Sequence, residues 1–426
     1  MQNTLRTRGA FDFVERRTVE NDMDVAVLGA GLMGVCTAIE LAGRGVDVDL
    51  YDRADVCISG ASLNGEGKVH LGYLYAADPS LRTAKRMVDG ALSFSPLMRR
   101  WLGGAFDRVP ASRPFYYPVH RDSLVPADLF ERHLHRVAGL YADACGLARP
   151  DYFGRDPRLP PVRVRDLSSI GLSGKLISAV FATEEVAIDS DALAVEVRAR
   201  VAAEPRIRPH LGTEVLRVSR DRSGLTVHAR NGAGPLRKRY DHVINALWDG
   251  RLAIDAEMGM TPNRRWLFRY KESLHLRSDA TTHIPSVTIA LGPFGDIVAY
   301  DKGKLYLTWY PAGRHASVDA ILPPSEKDIL ATRNAVRVQT QTLTALAEIV
   351  PGVAALPAEV IAAGCLRGGW IFAWGDTDVD DPASELHQRF AVGPASVEGY
   401  HTVDTGRFML APLFAMQVAD ALAARS

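Results

Sequence analysis

Between positions 24 and 52 the hydrophobic pattern changes period twice. Asp24-Val25-Ala26-Val27-Leu28 is a short apolar run of the kind that forms a buried strand. A glycine-rich turn follows, and then apolar residues at helical spacing as far as Gly45. Residues 46–51 make a second apolar strand that ends at Asp52. Strand, turn, helix and strand in this order predict an α/β fold with a parallel sheet. After Asp78-Pro79, a capping residue and a first-turn proline, Leu81, Ala84, Val88, Ala91, Leu92 and Ser95 predict a helix with one buried face. Residues 112–165 are rich in proline, arginine and aromatics and lack a clear period, which predicts irregular structure with short strands near 113–119.

A second regular unit begins near Val180. Ala187-Ile188-Asp189 leads into a helix with Leu193, Val197 and Val201 on one face. Strands are expected at 213–218, 224–229 and 240–246, with a turn at Asn231-Gly232. Residues 271–276, 286–290 and 304–310 alternate apolar and polar positions, as in an antiparallel sheet with one open face. A helix over 326–350, a strand at 389–392, a glycine-bearing loop over 393–406 and a last helix after Pro412 complete the pattern.

Composition narrows the class. A chain of 426 residues implies two or three domains, and 47% hydrophobic residues supply a large core. Fifty basic residues balance 50 acidic ones, so charge gives no reason to expect nucleic acid or an anionic membrane. No apolar run is long enough to span a bilayer. Cys36, Cys57, Cys145 and Cys365 are widely spaced, which fits a reducing cytoplasm and argues against disulfides or a metal site. The first 22 residues hold several arginines beside Asp12, Glu15 and Glu20, and read as a surface extension.

The candidate chemistry starts at Gly29-Ala30-Gly31-Leu32-Met33-Gly34. Three glycines at this spacing allow a tight turn, close approach to a pyrophosphate and tight helix–strand packing. The following helix start offers backbone N–H groups and a positive dipole end to phosphates. Asp52 is placed to accept hydrogen bonds from an adenosine ribose. The segment from Cys57 to Tyr73 then carries Ser59, Gly60, Ser62, Asn64, Gly65, Gly67, Lys68 and His70. So many glycines let a backbone lie against a ligand, and the polar side chains supply donors; a solvated loop has the same composition.

With these elements in order, the chain resembles the FAD-dependent oxidoreductases of the D-amino acid oxidase superfamily, which include glycine oxidase and sarcosine oxidase. The resemblance runs from Asp24 to about Ala423. The glycine motif with Ala38 and Gly45 in step, followed by Val48-Asp49-Leu50-Tyr51-Asp52-Arg53, is similar to the FAD version of the fingerprint, with aspartate for the usual glutamate. The resemblance implies that Asn64, Gly65 and Lys68 lie beside the flavin, and that Val215 holds the adenine side. Val243-Ile244-Asn245-Ala246 resembles the family's V-V-N-A strand, but Leu247-Trp248 replaces the small pair that follows. Gly364-Cys365-Leu366-Arg367 resembles the G-L-R-P turn without its proline, and residues 398–406, with Gly399, Tyr400, His401, Thr405 and Gly406, resemble the last flavin-binding loop. The implied division is an N-terminal extension at 1–22, a Rossmann-like FAD-binding domain from 23–100, 176–263 and 355–426, and a mixed α+β substrate domain from 101–175 and 264–354.

The implied activity is oxidation of a carbon–nitrogen bond in a small amine or amino acid, with oxygen as acceptor, including as a tailoring step in biosynthesis. Lys68, His70 and Arg314 are the candidate positive groups beside the flavin. Arg367 is the candidate carboxylate clamp, with pairing to Asp376, Asp378 or Asp380 as the plain alternative. Tyr306, Trp309 and Trp370 are candidates for an aromatic wall, or are plain core. Cys365 matches the position of a covalent flavin link in sarcosine oxidase relatives, or is a small buried residue. Three other readings stay open: a flavin-dependent mutase or isomerase without net redox change, a non-enzymatic flavin-binding module, and a nicotinamide enzyme without flavin. The pattern leaves the oligomeric state open.

Overall fold

The computed structural model describes residues 23–222 and 224–424; the expected extension at 1–22 lies outside them. Strand β1 (Asp24–Leu28), helix α1 (Leu32–Gly43) and strand β2 (Asp47–Tyr51) form where the apolar pattern predicts them. Among the described residues, β1 and β2 belong to a six-stranded sheet. Its order is Gly393–Val397, Tyr400–Asp404, His242–Asn245, β1, β2 and Ile207–His210. All neighbours are parallel except the first pair. A three-stranded antiparallel sheet, Glu214–Asp221, Gly224–Asn231 and Gly234–Tyr240, packs beside it. The large second sheet has nine strands, and helix Ala335–Ile349 covers part of one face. No helix among the described residues is long and apolar enough to cross a membrane.

Several expectations need correction. The strand expected at 240–246 is two strands: Gly234–Tyr240 ends in the hairpin, the chain turns at Asp241, and His242–Asn245 enters the parallel sheet. The irregular stretch 112–165 contains a 19-residue helix, Ala127–Cys145, which buries Phe130, Leu134, Val137 and Tyr141. The helix after Asp78-Pro79 starts later, at Arg82, and runs through Pro96 to Leu102; Asp78 accepts from the Thr83 N–H at 2.9 Å. The 326–350 helix breaks into Glu326–Ala331 and Ala335–Ile349, each with its own cap, Ser325 and Asn334. The strand expected at 389–392 lies instead at Gly393–Val397, so the expected 393–406 loop opens as a β-hairpin.

The sheets also cut across the expected domain boundaries. Ile177–Ala182 and Cys365–Trp374, both placed with the FAD-binding stretches by sequence, are strands of the large sheet. Cys365–Trp374 pairs along its whole length with Trp266–Arg277. Two buried polar clusters hold the six-stranded sheet. Asp49 accepts from Arg208 Nε at 2.7 Å, the Tyr240 hydroxyl at 2.7 Å and Lys238 Nζ at 2.5 Å. Burial raises the Asp49 pKa, but His210, Lys238, Tyr240 and Arg208 outweigh that and hold it well below the usual carboxylate range. On the other flank Asp255 accepts from Asn245 and Tyr400, at 3.0 and 2.8 Å, and from Thr402 and Arg251, at 2.9 and 3.0 Å.

All five side chains of the Asp255 cluster are buried. Truncating the acid strands the Arg251 charge and three polar groups. Asp255→Ala should therefore cost about 3–5 kcal/mol, read as a lower urea midpoint. An unchanged midpoint would show that the cluster does not hold His242–Asn245 to Tyr400–Asp404.

Candidate functional site

The carboxyl ends of β1 and β2 open into a cavity of about 400 Å³. Such a position is where parallel α/β sheets bind ligands. Two glycines of the turn are required by contact. A Cβ on Gly29, whose φ is +96°, would lie 2.6 Å from the Ala246 carbonyl oxygen, and one on Gly34 would lie 1.7 Å from the Gly29 oxygen. Gly31 differs: its Cβ would meet only Ser62 Oγ, at 3.5 Å, and the residue lines the cavity. Asp52 is fixed at the wall because its two oxygens accept from the Ala30 N–H at 2.6 Å and the Ala54 N–H at 2.8 Å. Ser62 Oγ accepts from the Leu32 N–H at 3.1 Å, which ties the loop after β2 to the head of α1.

Of the residues expected at the cofactor, Gly29, Gly31, Leu32, Met33, Asp52, Arg53, Ser59, Gly60, Ser62, Val215, Ala246 and Thr405 line this cavity, as does Trp370. The others stand behind it. Ala30 and Gly34 pack inward. Asn64 donates to the Gly368 carbonyl at 2.8 Å. Gly65 accepts from Ser190 Oγ at 3.3 Å, and Gly67 presses so close to Ile188 that a Cβ would lie 2.0 Å from its oxygen. Gly399 makes a turn against Asp241, and Gly406 turns beside Val392. Tyr400 belongs to the Asp255 cluster, and His401 bonds Ser396 at 2.7 Å and His242 at 3.1 Å.

The catalytic candidates separate. Lys68 is buried, and its ammonium donates to Thr288 Oγ1 at 2.6 Å and Asp296 Oδ1 at 2.9 Å. His70 lies beside it, between Glu185 at 3.6 Å and Glu66 at 3.9 Å. Burial lowers the His70 pKa and keeps the ring neutral near neutrality. Arg367 donates to Asp191 at 2.8 Å rather than to the downstream aspartates. Lys304 bonds the same Asp191 at 2.7 Å, so the arginine ties the large sheet to the start of helix Ser190–Ala203. Arg314 is exposed and pairs with Asp378 at 2.8 Å, away from the cavity. Tyr306 and Trp309 do not share a wall. They are three positions apart on one strand, so they point to opposite faces. Tyr306 faces Glu66, whereas Trp309 packs with the core under helix Ala335–Ile349. Cys365 is exposed and outside the cavity lining, so the covalent link lacks the contact it needs.

Of the further residues that line the cavity, Trp248, marked in the sequence only as a departure from a small pair, and Arg407, not marked at all, bear most on its chemistry. Trp248 has φ +56°, a conformation that glycine adopts freely and a bulky residue rarely does. Its indole N–H donates to the Trp370 carbonyl at 2.7 Å, which locks it in place. Arg407 lines the cavity with Thr405, and its guanidinium lies 5.5 Å from the Tyr75 ring centre. Its Nε is buried without a partner among the described residues. The only sequence signal was an arginine directly after Gly406. A glycine cradle, a fixed acid on the wall and an orphaned guanidinium N–H in one cavity fit an anionic dinucleotide with a polar ring.

The comparisons agree with that fit. The family model described as "DAO: FAD dependent oxidoreductase" matches residues 24–420. Glycine oxidase from Geobacillus kaustophilus superposes with a TM-score of 0.65 at 16% identity, over 94% of this chain and 95% of that one. Iminodiacetate oxidase from Chelativorans sp. BNC1 gives 0.63 at 17%, over 94% and 95%. L-α-glycerophosphate oxidase from Mycoplasma pneumoniae, solved with FAD bound, gives 0.62 at 14%, over 94% of each chain. No curated protein matches by sequence.

Two results are expected. Gly31→Ala should leave the melting temperature of the ligand-free protein unchanged while weakening FAD binding at least about tenfold, or ~1.4 kcal/mol; equal affinity would place the diphosphate elsewhere. Acid precipitation should leave all yellow colour in the supernatant, and colour in the pellet would restore Cys365 as a link.

Proposed function

The chain belongs to the DAO family of FAD-dependent oxidoreductases, and from that premise we propose that it oxidises a carbon–nitrogen bond. The substrate is a small amine or amino acid, the product an imine that water hydrolyses, and the terminal acceptor oxygen, which leaves as hydrogen peroxide. Bound FAD supplies the two-electron acceptor. Gly29–Gly34 and Ser59–Ser62 would hold its diphosphate, Asp52 its ribose, and Arg407 the polar edge of its ring.

The observation that carries the reading is the cavity wall at Arg407. Through the Tyr75 ring, 5.5 Å from its guanidinium and 5.9 Å from the His70 ring, it adjoins a cluster of titratable side chains, Glu66, Lys68, His70 and Glu185, under the large sheet. Amine oxidation needs a cation beside the accepting ring and a group that manages the substrate's proton. Arg407 answers the first need. Lys68 contributes less there, because Asp296 compensates its charge. Two of the similar structures are named for oxidation of nitrogen-bearing acids, glycine and iminodiacetate, which supports the same class.

Anaerobic mixing of the FAD-loaded protein with a panel of amines, amino acids and imino acids should bleach the flavin absorbance, and air should restore it with hydrogen peroxide. Bleaching only by hydroxy acids would overturn the carbon–nitrogen assignment. Turnover without peroxide or bleaching would favour the mutase reading.

A further inference from the structure

The run from Ser59 to Lys68 starts on the cavity wall and ends under the large sheet, and Glu66 near its end is held by its backbone alone. The Tyr300 hydroxyl donates to the Glu66 carbonyl at 2.5 Å. The next peptide is pinned too, because the Ile188 N–H donates to the Gly67 carbonyl at 2.9 Å and Gly67 has φ +62°. The Glu66 carboxylate has no comparable partner. The Tyr306 hydroxyl is 3.5 Å from Oε2, His70 Nε2 is 3.9 Å from Oε1, and Lys68 Nζ is 4.0 Å from Oε1. These distances lie at or beyond the limit of a useful hydrogen bond.

The other acids of the cluster are committed. Glu185 is fully buried and accepts from the Leu71 N–H at 2.5 Å and from the Tyr117 hydroxyl. Asp296 takes the Lys68 ammonium at 2.9 Å. Burial pushes Asp296 up, but the charges of Lys68 and Lys271 bring it down to about 2. Glu66 keeps 22% of its side chain exposed, close to the 18% of Asp296, but of the three acids it alone has no donor nearer than 3.5 Å. A carboxylate mostly withdrawn from water without a replacement donor is costly unless a visiting group supplies one. Its position is right for such a visitor. His70, 3.9 Å from Glu66, meets the Tyr75 ring edge-on at 5.9 Å, and that ring lies 5.5 Å from the guanidinium of Arg407, which lines the cavity.

We propose that Glu66 receives the substrate's amine nitrogen, binding it as an ammonium and taking its proton before oxidation. This rests on the carbon–nitrogen reading above. In the step an ammonium N–H bond breaks, a carboxyl O–H bond forms on Glu66, and nitrogen keeps the electron pair. The free amine then has the lone pair that oxidation at the adjacent carbon requires. The charged and titratable groups around Glu66 are Lys68 and His70 from its own segment, Tyr300, Tyr306 and Asp296 from the sheet, and Arg407 from the last loop. With His70 neutral, Lys68 and Arg407 face three carboxylates, Glu66, Asp296 and Glu185, which leaves the cluster one negative charge in excess for an incoming cation, and Glu66 is the acid without a close donor. A substrate with a positive nitrogen is therefore favoured over a neutral hydroxyl compound of the same shape.

The test uses the FAD-loaded wild type with Glu66→Gln and Glu66→Asp, each checked for equal flavin content and melting temperature. Methylammonium chloride is titrated at constant ionic strength, with calorimetry and the flavin absorbance spectrum as readouts. Saturable binding by the wild type, weakened at least tenfold in Glu66→Gln and partly restored in Glu66→Asp, is the expected result. With any amine that bleaches the wild type, the reduction rate at subsaturating amine should fall at least tenfold in Glu66→Gln and partly recover in Glu66→Asp. Equal methylammonium binding by wild type and Glu66→Gln, or none by the wild type, overturns the assignment. Glu66-dependent binding without bleaching by any amine keeps the ammonium site and removes amine oxidation instead.

Discussion

The contact between the Gly29 turn and the end of His242–Asn245 governs this molecule. The Ala246 carbonyl approaches Gly29 so closely that no side chain fits, and Gly34 packs on the Gly29 carbonyl from the other side. This contact sets β1 against a strand more than two hundred residues later and fixes where α1 begins. The cavity, the placement of Asp52 and the reach of Ser62 back to α1 all follow from it. A methyl group there would not merely weaken a ligand contact. It would separate the strands that make the ligand site.

Beyond that contact the site is shared between the two main sheets. Trp370 belongs to the large sheet yet lines the cavity, and its carbonyl receives the indole N–H of Trp248. Asn64, from the loop after β2, donates to Gly368 of the same strand. Arg367, two residues before Gly369, bonds Asp191 on the opposite side. The strand Cys365–Trp374 is thus a seam and not a domain boundary, and side chains expected to act on substrate act there as ties. A guanidinium is suited to either task, and the local sequence does not distinguish them.

What could be read from the sequence depended on the range of the forces involved. The β1–α1–β2 unit was legible because tight turns, buried strands and helix starts leave local marks. Helix Ala127–Cys145 was not: its apolar positions repeat correctly, but arginines and histidines between them hide the stripe. The split at Asp241 escaped notice because one apolar run serves two sheets. Tyr306 and Trp309 were assigned to one wall when the two-residue repeat of a strand already forbade it. Arg407 and Glu66 were missed for a different reason. A charged residue next to a glycine looks the same whether it faces water or a cofactor, and only the distances to Tyr75, Tyr306 and His70 separate the cases.

Thr405, Arg407, Phe408 and Ala411 complete the wall of the cavity, whereas the glycine turn comes about 370 residues earlier in the chain. On the ribosome the cradle emerges long before its wall. The growing polypeptide cannot enclose a flavin until these late residues have come out and Tyr400–Asp404 has docked beside His242–Asn245. The slot that would hold the cofactor is therefore complete only when nearly all of the described chain has folded.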